Sequence, residues 1–224
     1  LMNLKSYLMI AFTISVVSII GFSLISLLIS DQKIIQFDRA IINSVQGLES
    51  TFLTKVMKFF TFIGSAPFVI MLSLLLLFFL YKVLHHRFEL ILFVAAIAGS
   101  AILNGILKHL FQRVRPDFHR LINIEGYSFP SGHAMNAFTV YNIISFLLWR
   151  HIPSKLGRVM LILFSIVMIL TIGVSRIYLG VHYPSDIVGG YFASGFWVTT
   201  AIMFFQYYQE KRYNKVKQRE KRMA

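Results

Sequence analysis

Long uncharged apolar runs, separated by short polar stretches, dominate this chain. Six of them, Ser6 to Ser30, Phe59 to Tyr81, Leu90 to Leu107, Tyr127 to Trp149, Val159 to Ser175 and Ile187 to Gln209, contain no Asp, Glu, Lys or Arg. A bilayer core takes about 20 apolar residues per helix, with roughly 17–25 seen. The pattern therefore predicts an all-α polytopic membrane protein with six transmembrane helices. The first run is too long for a signal-peptide core and lacks a small-residue cleavage pattern, so it reads as a retained helix. The third ends beside Lys108, whose apolar stem can snorkel.

A different pattern fills the gap between the first two runs. Ile34, Phe37, Ile41, Val45, Leu48, Phe52, Val56 and Phe60 recur at three- and four-residue steps, with Asp38, Arg39, Glu49 and Lys55 between them. This predicts an amphipathic helical segment over about 34–58. It either lies in the membrane interface or packs over the bundle, and Gly47 is the place where it would break in two. No linker rich in proline, glycine or serine and no internal repeat divides the chain. Residues 1–224 read as a single domain with a basic tail over 210–224.

Composition agrees with the pattern. Of 224 residues, 57% are hydrophobic and only 14% charged, against about 25% charged in a soluble domain. With no cysteine, disulfides and thiolate metal sites are excluded. The net charge of +13 fits anionic lipid better than nucleic acid in so apolar a chain. Nothing in the pattern marks an obligate protein partner. Placing both termini in the cytoplasm puts Lys5, Lys82, Arg87, Arg150, Lys155, Arg158 and the tail cations Lys211 to Arg222 inside, as the bias of basic residues favours. The tail then meets anionic headgroups at about 1 kcal/mol per charge.

Three short segments carry chemistry, and this topology brings all three to the extracytoplasmic face. In KHLFQRVRP, six residues separate Lys108 from Arg115. PSGH spans Pro130 to His133, and SRIYLGVHYPSD spans Ser175 to Asp186. Charged groups at membrane helix ends are costly and mark function. Lys108, Arg115 and Arg176 supply three cations for the charge that phosphoryl transfer spreads over three equatorial oxygens. Ser131 and Gly132 sit where a helix should start, so their amides and the serine hydroxyl suit an anion. Pro184 is favoured at a first helical position, which places Asp186 in the first turn, within reach of His182. Asp186 can then fix the imidazole tautomer, leaving the other nitrogen of His182 free to attack phosphorus. His133, in the first turn of another helix, is available as general acid.

With these three motifs in place, the chain resembles the type 2 phosphatidic acid phosphatase family, the membrane branch of the group related to vanadium haloperoxidases. The resemblance covers a lysine six residues before Arg-Pro, then Pro-Ser-Gly-His, then Ser-Arg with five residues to His and three more to Asp. It implies the acid phosphatase/vanadium haloperoxidase-like bundle, with His182 as nucleophile, Asp186 as its partner and His133 as acid. It also implies Lys108, Arg115, Ser131, Gly132 and Arg176 as the phosphate-binding set, with no metal and no cofactor. The expected activity is hydrolysis of a lipid phosphomonoester or diphosphate through phosphohistidine. The bacterial substrates implied at this size are phosphatidylglycerophosphate, undecaprenyl diphosphate or phosphatidic acid. The absence of any Asn-x-Ser/Thr site fits a bacterial cell membrane.

Two rivals use other outcomes of the same residues: a phosphotransferase passing the phosphate to an alcohol, and a lipid-binding or transport protein without chemistry. Arg113, Asp117, His119 and Arg120 read as a solvated loop beside the site, with headgroup selection as the alternative. Tyr178, Tyr183 and Ser185 lie inside the third motif with no assigned role, and His85, His86, His109 and His151 fall outside the motifs.

Overall fold

The computed structural model describes residues 4–82, 87–117, 119–149 and 151–223. Arg150, His85, His86 and the chain ends, which the sequence reading used, lie outside the described residues. Eight helices follow one another: α1 (Leu4–Ser30), α2 (Ile35–Gln46), α3 (Thr51–Ile63), α4 (Ala66–Lys82), α5 (Arg87–Phe111), α6 (Gly132–Leu148), α7 (Lys155–Tyr178) and α8 (Pro184–Met223). Among the described residues there is no strand.

Serine caps set several helix starts. Ser50 Oγ accepts from Leu53 N at 3.2 Å at the head of α3, and Ser154 Oγ from Gly157 N at 3.0 Å at the head of α7. The start of α6 differs from the sequence expectation. Its run begins at Tyr127, but the helix begins at Gly132. Pro130 has no N–H to donate and keeps its predecessor out of the helical region, and Ser131 then caps α6.

Four helical stretches are long and apolar enough to cross a membrane: Leu8–Ser30, Phe88–Phe111, Lys155–Tyr178 and Pro184–Lys215. Thr51–Ile63 and Ala66–Phe79 make a fifth if taken as one span, broken by a 52° bend. The expected second span over Phe59 to Tyr81 therefore does not run straight. Gly64 caps the end of α3, and its bare Cα lets Ile172 and His133 approach closely. The amphipathic segment is likewise two helices, divided where Gly47 caps α2. Helix α6, like α4, has 17 residues. It forms the middle of the bundle, with Ala134, Met135, Ala137, Val140 and Ile143 all buried.

Small residues bring the helices together, as in membrane bundles generally. A side chain on Gly99 of α5 would overlap the indole of Trp197 on α8, and that indole donates to Ala96 O at 3.1 Å. Gly21 of α1 accommodates Phe192 of α8 in the same way. Beside them Leu92, Phe93, Ala96, Ile143, Leu147 and Val198 form an apolar cluster between α5, α6 and α8. The outer faces are apolar too, with Phe12, Leu27, Leu156, Met160 and Phe164 exposed. In a protein of this composition that is the surface a lipid tail meets.

Candidate active site

One end of the bundle gathers the C-terminal ends of α5 and α7, the N-terminal ends of α6 and α8, and the loops between them. The loop after α7 turns at Gly180, whose φ of +72° suits glycine and whose bare Cα lies against the carbonyl of His119. Gln46 of α2 clamps both sides of this crossing, donating to His119 O at 2.7 Å and to Tyr178 O at 3.3 Å. Arg115 and Ser128, from the loop between α5 and α6, both reach His182.

His182 is buried at 1% exposure. Its Nδ1 lies 3.2 Å from Asp186 Oδ2, four residues on, in the first turn of α8. On the other side Arg115 Nη1 reaches Nε2 at 3.1 Å. A guanidinium only donates, so Nε2 keeps its lone pair and Nδ1 carries the proton toward Asp186. Burial pushes the His182 pKa down to about 3, more strongly than Asp186 raises it, so the imidazole is neutral at ordinary pH.

Asp186 is fully buried, and both its oxygens are occupied. Oδ2 accepts from Tyr183 N at 2.9 Å and from Ser128 Oγ, and the same Ser128 Oγ lies 3.3 Å from Nδ1 of His182. Oδ1 accepts from Arg113 Nη1 at 2.6 Å. The main-chain oxygen of Asp186 accepts from Ser131 N at 3.1 Å, tying the head of α8 to the head of α6.

The motif cations lie around His182 and Asp186. Arg115 is anchored through Nε to Gly126 O and through Nη1 to Val181 O, both at 2.9 Å. Burial lowers its pKa from the usual arginine value. Arg176, 1% exposed, donates from Nη1 to Thr61 Oγ1 at 2.5 Å, while its buried Nε has no partner among the described residues. Lys108 lies in the field of Arg115, Arg176 and Asp186, and His133 in that of Arg176, His182, Lys108 and Arg115. Ser131 Oγ caps α6 by accepting from Ala134 N at 3.5 Å, and Gly132 leaves room for Asn104. Asn104 in turn donates to Pro130 O at 3.1 Å.

All eight residues picked from the motifs thus share one end of the fold. Among the described residues no group of three His, Asp or Glu side chains is placed to hold a metal ion. The surplus of cations and the unpaired guanidinium N–H suit a phosphate-sized anion.

Several partners were not visible in the sequence. Arg113 belongs to the buried network, with its side chain only 12% exposed, so the solvated-loop reading fails for it. It holds for Asp117, His119 and Arg120: His119 pairs with Glu49 at 3.0 Å on the surface, and Asp117 is fully exposed. Asp38, expected on the polar face of an interfacial helix, is completely buried, while Phe37 beside it is exposed. Helix α2 turns this part of its polar face to the site. Ser185 bonds Asp38 through both its N and its Oγ. Tyr178 OH meets Thr54 Oγ1 at 2.9 Å and Ser50 N at 3.2 Å, fastening α7 to α3. Ser128, Thr61 and Asn104 have no spacing signal; only the three-dimensional contact reveals them.

The chain is similar to known proteins. A family model described as PAP2 superfamily matches residues 89–211. Phosphatidylglycerophosphatase B of Bacillus subtilis is 35% identical over 159 residues, which is 69% of this chain and 76% of that protein. The putative undecaprenyl-diphosphatase YbjG of Escherichia coli is 31% identical over 126 residues, 54% of this chain and 59% of that protein. Among solved structures, a transmembrane PAP2 type phosphatidylglycerolphosphate phosphatase from Bacillus subtilis superposes with a TM-score of 0.75. It is 29% identical and the match covers 88% of this chain and 96% of that one.

Proposed function

Because the chain belongs to the PAP2 superfamily, we propose that it is a bacterial membrane phosphatase that hydrolyses a lipid phosphomonoester or diphosphate through a phosphohistidine on His182. The observation that carries this reading is the state of His182. It is buried and neutral, with Nδ1 turned to Asp186 and the Nε2 lone pair turned to a cluster of cations.

In the first step Nε2 of His182 attacks phosphorus. The P–N bond forms as the bond from phosphorus to the leaving oxygen breaks, and His133 gives that oxygen its proton. Asp186 stabilises the positive charge that develops on the imidazole, much as the carboxylate of a Ser-His-Asp triad does. Arg115 lets go of Nε2 and grips the transferring phosphoryl group together with Arg176 and Lys108. The unpartnered Nε of Arg176 is a donor awaiting such an oxygen. In the second step His133 takes a proton from water, the water oxygen attacks phosphorus, the P–N bond breaks, and inorganic phosphate leaves with His182 neutral again. Ser131 and Gly132 add the amide end of α6 to the phosphate cradle.

The relatives' names support phosphatidylglycerophosphate and undecaprenyl diphosphate as the substrates to try first. The exposed apolar flanks support entry of acyl or prenyl chains from the bilayer. The proposed layout has the whole chain as one domain of six spans, counting α6 and the bent α3–α4 pair. Its termini are cytoplasmic and its site lies at the extracytoplasmic face, bathed by anionic lipid at the basic tail. The test is phosphate release in detergent from phosphatidylglycerophosphate, undecaprenyl diphosphate and phosphatidic acid, with acid-labile labelling of the protein. Release from none of the three, or full activity of His182→Ala, overturns the proposal.

A further inference from the structure

The catalytic cycle above makes no use of a buried row of charges beside it. Asp38 of α2 is fully buried, 75 residues before Arg113 and 147 before Ser185 in sequence. Its Oδ2 accepts from Arg113 Nη2 at 2.8 Å and from Ser185 Oγ at 2.6 Å, and its Oδ1 accepts from Ser185 N at 2.9 Å. Arg113 Nη1 donates to Asp186 Oδ1 at 2.6 Å and to Ser185 Oγ at 2.7 Å. The guanidinium also lies over the Tyr183 ring at 4.0 Å. An Asp–Arg–Asp row thus runs from the short amphipathic helix to the carboxylate that faces His182.

A row of this kind could do no more than fasten α2 to the bundle. Two features go further. First, Arg113 takes only Oδ1 of Asp186, leaving Oδ2 for His182, Ser128 and Tyr183 N. Each oxygen has its own partners, so the plane of the carboxylate is fixed relative to the imidazole. Second, the charges lie in a buried site, where they are screened less than in water. Arg113 alone would offset part of the charge of Asp186 as His182 feels it. Asp38 on the other arm offsets Arg113, and the row keeps a net negative charge toward the imidazole.

We infer that Arg113 and Asp38 are positioning residues for the proposed nucleophile: Arg113 locks the Asp186 carboxylate, and Asp38 balances Arg113 so that Asp186 can support the charge developing on His182. The inference rests on the phosphohistidine reading of His182. Helix α2 is then part of the reaction apparatus and not only a cover for the bundle.

The test uses the full chain in detergent, with dioctanoyl phosphatidic acid as substrate and phosphate release as the readout. Wild type is compared with Asp38→Asn, Arg113→Gln, Arg113→Lys, the Asp38→Asn/Arg113→Gln pair and His182→Ala. Removing outer partners of a metal-bound histidine costs about 10- to 100-fold, and an effect of similar size is expected here. The expected result is a loss of that size in kcat for Asp38→Asn and Arg113→Gln, with KM within about twofold of wild type, since neither residue touches the phosphate. Arg113→Lys recovers part of the loss, and the paired substitution costs no more than Arg113→Gln alone. The inference falls if both single variants keep kcat within about twofold of wild type while His182→Ala is inactive. It falls equally if their loss follows the monodisperse fraction on size exclusion, leaving kcat per folded molecule unchanged. If Asp38→Asn does not stay monodisperse, the comparison of Arg113→Lys with Arg113→Gln decides by the same criteria. An active His182→Ala overturns the reading of His182 itself, whatever the row does.

Discussion

Arg115 approaches His182 from the side opposite Asp186, with Nη1 3.1 Å from Nε2 while Nδ1 lies 3.2 Å from the carboxylate. In the proposed mechanism the contact marks where phosphorus arrives, since an incoming phosphoryl oxygen would draw the guanidinium off the nitrogen it now covers. Replacing His182 with alanine should abolish both turnover and acid-labile labelling. Replacing His133 with alanine should leave labelling by a substrate with a good leaving group, because attack needs no acid there. Breakdown of the label should slow, with turnover about 10²- to 10⁴-fold lower. Rapid-quench labelling of the two variants checks both statements, and a labelled His182→Ala protein would contradict the assignment.

Burial of His182 has a consequence for stability. Its folded pKa is depressed to about 3, below the ordinary value near 6.5. The unfolded chain therefore binds a proton that the folded protein refuses throughout that interval. The contribution to stability is fully present above about pH 6.5 and is lost as pH falls toward 3, at up to about 1.4 kcal/mol per pH unit. Thermal unfolding in detergent from pH 8 to pH 4 should show Tm falling on the acid side. His182→Asn should flatten that slope; an equal slope in the variant would rule out His182 as its source.

Thr61 supplies the hydrogen bond that orients Arg176, through Nη1 at 2.5 Å. A hydrogen bond to a charged group contributes about 1.5–3 kcal/mol. Thr61→Val keeps the shape and removes the acceptor, so Arg176 should lose its fixed direction. The expected effect is a fall in kcat/KM of about tenfold or more, with little change in expression or monodispersity. Michaelis kinetics at fixed detergent would measure it, and unchanged kcat/KM would show that Arg176 is held by its helix alone.

Two glycines of α5 should respond in opposite directions. Any side chain on Gly99 meets Trp197, so Gly99→Ala should destabilise by about 1–3 kcal/mol as α5 and α8 are forced apart. A Cβ on Gly105 meets nothing within 4 Å, and Gly105→Ala should leave stability unchanged or raise it by about 0.4–1 kcal/mol. Unfolding temperatures of the two variants, measured side by side, test the packing directly.

Much of the site is legible in the chain because its chemistry is encoded locally. His182 and Asp186 are one helical turn apart, Ser131 and His133 share a helix start, and Arg176 ends the preceding helix. The uncharged runs likewise announce the helices. What is hidden is whatever depends on how remote segments meet. Asp38 sits on an amphipathic repeat, where a charged side chain ordinarily faces water, and only its partners Arg113 and Ser185 show that it is buried. Ser128 precedes a recognisable motif but looks like any loop serine until it is found against Asp186. The bend at Gly64 was equally obscure. An apolar run carries no mark of the break, and the side chains packed on Gly64, Ile172 and His133, come from other helices.

Asp186 holds His182 with its side chain and Ser131 with its main-chain oxygen. Ser131 begins the helix that carries His133. The proposed attacking nitrogen and the proposed proton donor are thus gauged from one residue, like two jaws on a common pivot. Because that main-chain hydrogen bond joins the heads of the two helices, a shift of one in a bilayer of changing thickness should carry the other, which would preserve the gap proposed for phosphorus.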